Sequence, residues 1–292
     1  MSHLRYNKIK DAWVAIAEER VRRPNNFELS CTEVYDINSP FIYGNESLTP
    51  NEIYSLRIDG SKPNTPGWLT RVVPNKYNAF DINKELKSKR DGLYDMMSGF
   101  GAHEIIIDTP KFPYSVFDFT QEEMQRVLVT AQKRIKDLTK DTRLAYFQLF
   151  KNHGSWAGAS LSHAHTQLIA LPFIPPEIAK EIEASRSYYQ KTSRCLLMDI
   201  VLEEQKTKTR VIDESERFIA YCPYAAFYPF EIVICTKEKS EDFTKLDEPY
   251  LKEFTEILTK ILALLNASLK NVSFNLLFKL VPPPRDGRQF GY

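Results

Sequence analysis

The stretch Asn152-His-Gly-Ser-Trp-Ala-Gly158-Ala-Ser160-Leu-Ser-His163-Ala-His165-Thr-Gln167-Leu-Ile-Ala-Leu-Pro172 decides how the rest of the chain is read. Three of the five histidines fall within thirteen residues of it. A loop of small residues with two glycines runs into an alternating segment that reads as a strand. Alternate side chains of a strand share a face, so His163, His165 and Gln167 are expected in one row, with Ala164, Thr166 and Leu168 behind. A backbone that can approach an anion closely, followed by imidazoles, suits phosphorus chemistry. A neutral imidazole nitrogen can attack phosphorus and split one difficult transfer into two easier ones. Gln167, the Ser160 hydroxyl and loop amides between Gly154 and Ser160 can supply donors for the charge that develops. Two other readings remain open on the residues alone. Histidines two apart on a strand can ligate zinc, but a structural site needs about four ligands and no Cys-x-x-Cys pair completes it. Both rings could also be hydrogen-bonded core residues, which leaves the glycine loop unexplained.

Working outward, the chain repeats itself. Glu104-Ile-Ile-Ile-Asp-Thr leads through a loop and a helical pattern to a strand ending Phe150-Lys151. Glu231-Ile-Val-Ile-Cys-Thr leads through the same order to Phe278-Lys279. The shift is roughly 127 residues and implies two similar lobes related by a pseudo-twofold axis. Thr120-Gln-Glu-Glu123 is a capping-box pattern. Behind it Met124, Val127, Leu128, Ala131, Ile135 and Leu138 make a helical stripe. Asp247 is the expected N-cap of the second helix, with Pro249 in its first turn and Leu251, Phe254, Leu258, Ile261, Leu262 and Leu265 on its apolar face. Pro175-Pro176 opens a third helical pattern to about Arg194, a connector between lobes. Strands are expected at Ala12 to Ala17, Trp68 to Val73 and Arg217 to Cys222, and polar loops at Asp59 to Pro66 and Lys84 to Asp91. The fold class expected is α+β, two lobes each with a mainly antiparallel sheet covered by helices. The first lobe spans residues 1–175 and carries the histidine strand; the second spans 176–292.

Composition excludes several functions. The net charge of +1 supplies no field for nucleic acid or a membrane surface, although Arg20-Val-Arg22-Arg23 is locally basic. No apolar run approaches the ~20 residues that span a bilayer. Cys31, Cys195, Cys222 and Cys235 show no paired short spacing and read as reduced thiols of a cytoplasmic protein.

The run Asn-x-Gly-x-x-x-Gly-x-Ser-x-x-His-x-His-x-Gln resembles the active-site signature of galactose-1-phosphate uridylyltransferases, within the histidine-triad-like superfamily. The wording of Phe150-Lys-Asn-His-Gly and of Ala-Gly-Ala-Ser-Leu-Ser-His is similar to the ADP-glucose phosphorylase branch. Further blocks follow in family order: Trp13-Val-Ala-Ile, Arg20 to Pro24, Gly44 to Pro50, Arg71 to Tyr77, His103 to Pro110, Ile212-Asp-Glu and Ala226 to Glu231. The resemblance implies a nucleotidyltransferase that moves a nucleoside monophosphate between a nucleotide sugar and a hexose 1-phosphate or phosphate. It makes His165 the nucleophile, sets Gln167 on the phosphate and counts His163 with them among the catalytic residues. It implies that Asn152, Gly158 and Ser160 line the phosphate site, that Arg20 and Arg23 meet phosphate oxygens, and that Asn75 and Tyr77 border the nucleotide. The resemblance also allows for a homodimer. Against it stand two other outcomes: a degenerate nucleotide-binding or interaction module, and a nucleotide hydrolase.

The chain departs from the family pattern at its zinc positions. Ser39-Pro-Phe41-Ile42 stands for a Cys-x-x-Cys pair, Phe112 for a histidine, and only His163 remains. In the second half the corresponding positions read Cys195-Leu-Leu-Met198 and Lys239. No zinc and no other cofactor is expected, with Phe41, Ile42 and Phe112 packed in its place. The second lobe is also expected to lack its last strand.

Overall fold

The structure, a computed structural model, describes residues 3–16, 38–58, 60–238 and 242–283. Thirteen strands and four α-helices follow in chain order among them. They are β1 (His3–Asn7), β2 (Ala12–Ile16), β3 (Tyr54–Arg57), β4 (Trp68–Pro74), β5 (Ser88–Asp91), β6 (Tyr94–Met97), β7 (Ala102–Ile107), α1 (Gln121–Leu138), β8 (Tyr146–His153), β9 (His165–Leu171), α2 (Pro176–Thr192), α3 (Leu196–Thr207), β10 (Val211–Glu214), β11 (Phe218–Tyr221), β12 (Val233–Thr236), α4 (Glu248–Leu269) and β13 (Phe274–Phe278). Six strands form the main sheet in the order β13-β8-β9-β7-β4-β3, and every pairing in it is antiparallel.

Local chemistry starts α1 where the sequence says it should. The Thr120 hydroxyl accepts from Glu123 N at 3.2 Å, and the Glu123 carboxylate accepts from Thr120 N at 3.0 Å. The stripe behind this cap is buried against one face of the main sheet. Two polar contacts then fix the helix to particular strands. Arg134 donates from Nε and Nη2 to both oxygens of Glu104 on β7, at 2.8 and 2.7 Å, with both residues buried. Thr130 and Thr70 share a buried hydroxyl hydrogen bond of 2.6 Å. Helix α4 begins as expected at Asp247, whose carboxylate accepts from Tyr250 N at 3.0 Å.

The repeat is visible in the folded chain. Strands β11 and β12 with α4 repeat β4 and β7 with α1. Phe218 and Ala220 pack on Ile257 and Ile261 of α4, while Ile219 and Tyr221, on the opposite face, pack on Val201 of α3. The halves join through β8 and β13. Phe150 and Phe278 are equivalent positions of the repeat; Phe278 pairs with Leu149 and Leu277 with Phe150. Each strand thus meets the other at reciprocal positions, as a twofold axis between them requires. One core cluster accordingly takes residues from both halves, with Leu149 and Leu168 beside Leu258 and Leu262.

The halves differ where β9 lies. In the first, β9 pairs with both β7 and β8. In the second, β12 pairs only with β11 and β13 only with β8 among the described residues. A concavity of about 2060 Å³ opens between these two edges.

Several expectations shift in detail. The connector holds two helices, α2 and α3, broken where Ser193 takes a left-handed backbone at φ 57°. The end of the loop expected at Lys84 to Asp91 is strand β5, which forms a hairpin with β6, and β1 pairs with β2 in a second hairpin. Because one core spans both halves, they are expected to unfold in a single transition by calorimetry. Leu258→Ala should cost about 2–5 kcal/mol and lower the melting temperature of the whole chain. A variant that melted only the second half would contradict a shared core.

Candidate active site

Strand β9 begins at His165, two residues later than the alternation suggests. His163 therefore lies in the turn before it, and the expected row reduces to His165 and Gln167. These two stand on the face away from α1, opposite Ile107 and Ile105 of β7. Leu168 and Ala170 face α1.

Two backbone carbonyls settle the histidine tautomers, because a carbonyl can only accept. His165 Nδ1 is 2.8 Å from the carbonyl of His163, so Nδ1 carries the proton and donates. Its Nε2 is left with a lone pair and no partner among the described residues. His163 Nε2 donates in the same way to the Thr109 carbonyl at 2.8 Å, and its Nδ1 is buried without a partner. Burial pushes the His165 pKa down to about 4, against the smaller upward pull of the His163 carbonyl. Burial also lowers His163. Both rings are neutral at physiological pH.

Directly behind His165, on the α1 side, sits a buried ion pair. Lys151 of β8 pairs with Asp108 at the end of β7, and its ammonium also donates to the His165 carbonyl at 2.8 Å. Thr166 Oγ1 donates to the same carboxylate at 3.2 Å. Three strands are thereby pinned at one point. Beside them a cavity of about 230 Å³ is lined by Ser115, Lys151, Asn152, Ser160 and His163, among others. The loop around it needs its glycines. Gly154 has φ +81°, and a Cβ there would meet Ser273 Oγ at 2.1 Å. Gly158 caps the short 3₁₀ turn Ser155–Ala157 in the left-handed region.

The residues singled out in sequence thus fall into groups. Asn152, Ser160 and His163 line the cavity under the loop, and Gly158 lies beside Asn152; His165 and Gln167 stand on β9 next to β7 and β8 and are not among the residues that line that cavity. Asn75 follows β4 and lies next to them through His103: its Nδ2 is 3.1 Å from His103 Nε2, which is itself 3.0 Å from Gln167 Oε1. Tyr77 is 86 % exposed at the rim, and its N–H donates to Asn75 Oδ1 at 2.9 Å. Arg20 and Arg23 lie outside the described residues. Sequence reasoning passed over His103, Asp108 and Lys151 as site residues, and Asn275, which donates to Asn152 Oδ1 at 2.9 Å from the other half of the chain. For His103 the one signal was its place in a block of family wording.

The position where the family pattern implies zinc does not fit one. Phe112 stacks on His163 with ring centres 5.0 Å apart and planes 7° apart, and Phe41 meets both His163 and His165 edge-on at 6.0 and 5.5 Å. The orphaned His163 Nδ1 is a single donor among aromatic rings, where zinc needs about four. Among the described residues no group of three or more His, Cys, Asp or Glu could hold a metal.

A two-lobed α+β frame that presents a neutral imidazole beside a glycine loop places the chain among histidine-triad-like transferases. The family model for the galactose-1-phosphate uridyl transferase N-terminal domain matches residues 1–175, and that for its C-terminal domain matches residues 181–270. The chain belongs to the galactose-1-phosphate uridyl transferase family. It is 31 % identical to ADP-glucose phosphorylase of Arabidopsis thaliana over 96 % of this chain and 78 % of that protein. It is 26 % identical to galactose-1-phosphate uridylyltransferase of Saccharomyces cerevisiae over 89 % of this chain and 73 % of that one. The crystal structure of the Arabidopsis ADP-glucose phosphorylase with bound ADP-glucose superposes with a TM-score of 0.80, at 29 % identity, over 97 % of this chain and 83 % of that one.

A buried ring that must charge on protonation destabilises the fold in acid. For His165 the stabilising share is complete above the unfolded value of 6.5 and is lost as pH falls toward about 4. Urea unfolding at pH 7 and pH 4.5 should therefore show a smaller acid loss in His165→Gln than in wild type, by on the order of 2 kcal/mol. Equal losses would place the ring in a solvated position instead.

Proposed function

We propose that this protein transfers a nucleoside monophosphate between a nucleotide sugar and a hexose 1-phosphate or inorganic phosphate, through a covalent nucleotidyl-histidine at His165. The observation that carries the reading is the bond from His165 Nδ1–H to the His163 carbonyl, which leaves Nε2 unprotonated and unpartnered. In the first step the Nε2 lone pair attacks the α-phosphorus of the nucleotide sugar. The bond from that phosphorus to the bridging oxygen breaks, and the sugar 1-phosphate leaves with the electron pair. In the second step a phosphate oxygen of the acceptor attacks the same phosphorus. The phosphorus–nitrogen bond then breaks and its pair returns to Nε2.

Gln167, Asn152 and Ser160 are assigned to the non-bridging oxygens, with Gly158 letting the backbone come close. His163 holds His165 through its carbonyl. Arg20 and Arg23 are assigned to phosphate oxygens, and Asn75 with Tyr77 to the nucleotide border. The first half, residues 1–175, is the catalytic half in this reading, and residues 176–292 support it. Similarity to an ADP-glucose phosphorylase over most of the chain favours ADP-glucose with phosphate as acceptor, and UDP-glucose with galactose 1-phosphate is the other pair to test. No resident metal or cofactor has a part in either step. The unpaired Cys195, Cys222 and Cys235 suit the cytoplasm.

Protein mixed with nucleotide-labelled ADP-glucose or UDP-glucose should acquire acid-labile label and release sugar 1-phosphate in equal amount. His165→Gln should acquire none. No label in folded wild type from either donor would end the transfer reading. Release of monophosphate without an acceptor would make the protein a hydrolase. Nucleotide binding that survives His165→Ala, without turnover in wild type, would make it a binding module. Elemental analysis of the purified protein should find well under one equivalent of zinc; one tightly held equivalent would contradict the aromatic packing around His163.

A further inference from the structure

Two primary amides border the site, Asn152 and Gln167, and an amide is useful to a phosphate only if its NH2 end faces it. Turned the other way, it presents a carbonyl oxygen that repels the anion. Electron-poor NH2 and electron-rich C=O have the same shape, so something other than packing must set the orientation. In both cases a second side chain does so, and that side chain is itself fixed by a backbone group that cannot flip.

For Asn152 the second side chain is Asn275 of β13. Asn275 Nδ2 donates to the Ala157 carbonyl at 2.9 Å, an acceptor that allows only the NH2 end to face it. The same Nδ2 is 2.9 Å from Asn152 Oδ1. Asn152 must therefore show Asn275 its oxygen. Its own Nδ2 points the other way, toward Gly158, whose added Cβ would lie 3.9 Å from it.

For Gln167 the second side chain is His103 of β7. The backbone N–H of Ala79 donates to His103 Nδ1 at 3.3 Å, so Nδ1 is the acceptor and a neutral ring carries its proton on Nε2. That Nε2–H donates to Gln167 Oε1 at 3.0 Å. Asn75 Nδ2, 3.1 Å from the same nitrogen, then finds no lone pair there. Its Oδ1 is held by Tyr77 N, so its amide hydrogens remain for a ligand. Neither Asn152 Nδ2 nor Gln167 Nε2 has a partner among the described residues.

We infer that His103 and Asn275 are positioning residues: each holds the carbonyl oxygen of a site amide, Gln167 and Asn152 respectively, so that both NH2 groups face the phosphate undergoing transfer. The role of the phosphate rests on the proposed function; the amide orientations do not. Asn275 also gives the second half a part in the chemistry of the first. It reaches the loop across the β8–β13 seam, at the place where Asn275 pairs with Asn152 in the sheet.

A double-mutant cycle tests the inference against a merely structural role. His103→Leu should slow formation of the nucleotidyl adduct about 10- to 100-fold, mainly in the rate at saturating nucleotide sugar, with an unchanged melting temperature. In a Gln167→Leu background the same change should have no further effect. Asn275→Asp is the sharper variant of the other pair. A carboxylate at that position would draw the Asn152 NH2 toward itself, so it should slow adduct formation more than Asn275→Leu does, and neither change should matter in Asn152→Leu. Full rates in His103→Leu and Asn275→Asp, or equal losses with and without the partner amide, would overturn the assignment.

A second measurement is independent of any transfer. Inorganic phosphate titrated into 15N-labelled wild type should shift the side-chain NH2 signals of both Asn152 and Gln167. In His103→Leu only the Asn152 pair should still respond, and in Asn275→Asp only the Gln167 pair. If wild type makes no adduct but both pairs respond, the function fails and the positioning stands. If neither pair responds in wild type, the positioning fails whatever the adduct does.

Discussion

One hydrogen bond organises the site: the Nδ1–H of His165 on the carbonyl two residues before it. An imidazole has two nitrogens and one proton when neutral, and which nitrogen is free decides whether it can act as a nucleophile. The His163 carbonyl makes that decision for His165. Burial then keeps the ring neutral by holding its pKa near 4, far below the pH at which a free histidine takes up a proton. Neither effect suffices alone. A neutral ring of the wrong tautomer would present N–H to a phosphorus atom, and a correctly oriented but solvated ring would be partly protonated near pH 6.5.

The fold serves to make that carbonyl stationary. His163 is clamped between Phe112 and Phe41 and donates to Thr109, so the carbonyl His165 uses sits in a turn with little freedom. The Lys151–Asp108 pair closes the same region from behind and binds β7, β8 and β9 together. Such a buried pair adds little net stability, because desolvation offsets its attraction. Removing one partner would leave a lone charge under β9. Aromatic stacking holds the His163 ring at the position where the family pattern implies zinc. It fixes the ring orientation through shape.

The sequence carried much of this and missed definable parts. Helices α1 and α4 were legible at their first residues because Thr120 and Asp247 act on amides within three positions, a purely local effect. The repeat was legible because equivalent strands keep the same apolar spacing; it implied a pseudo-twofold axis, but not that β8 and β13 would pair across it. The hairpin β5–β6 was not, although Asp91-Gly92 is a turn signal. Its side chains are exposed on both strands, so no burial imposes an alternation to read. Within the site, His165, Gln167 and Asn152 lie in one run and were visible as a motif. The groups that hold them (His103, Lys151, Asp108 and Asn275) come from other strands, and Asn275 from the other half. Their importance depends on sheet register, which one-dimensional spacing does not encode. The start of β9 was placed too early for a related reason. Alternation of side chains is necessary for a strand, but pairing decides where the strand begins, and β7 pairs only as far as His165.

The most direct measurement is the 15N NMR spectrum of the His165 ring, assigned by comparison with His165→Gln. The account predicts a neutral ring at pH 7 with its proton on Nδ1 and an unprotonated Nε2, titrating only as the pH nears about 4. A proton on Nε2, or a titration midpoint near 6.5, would contradict it.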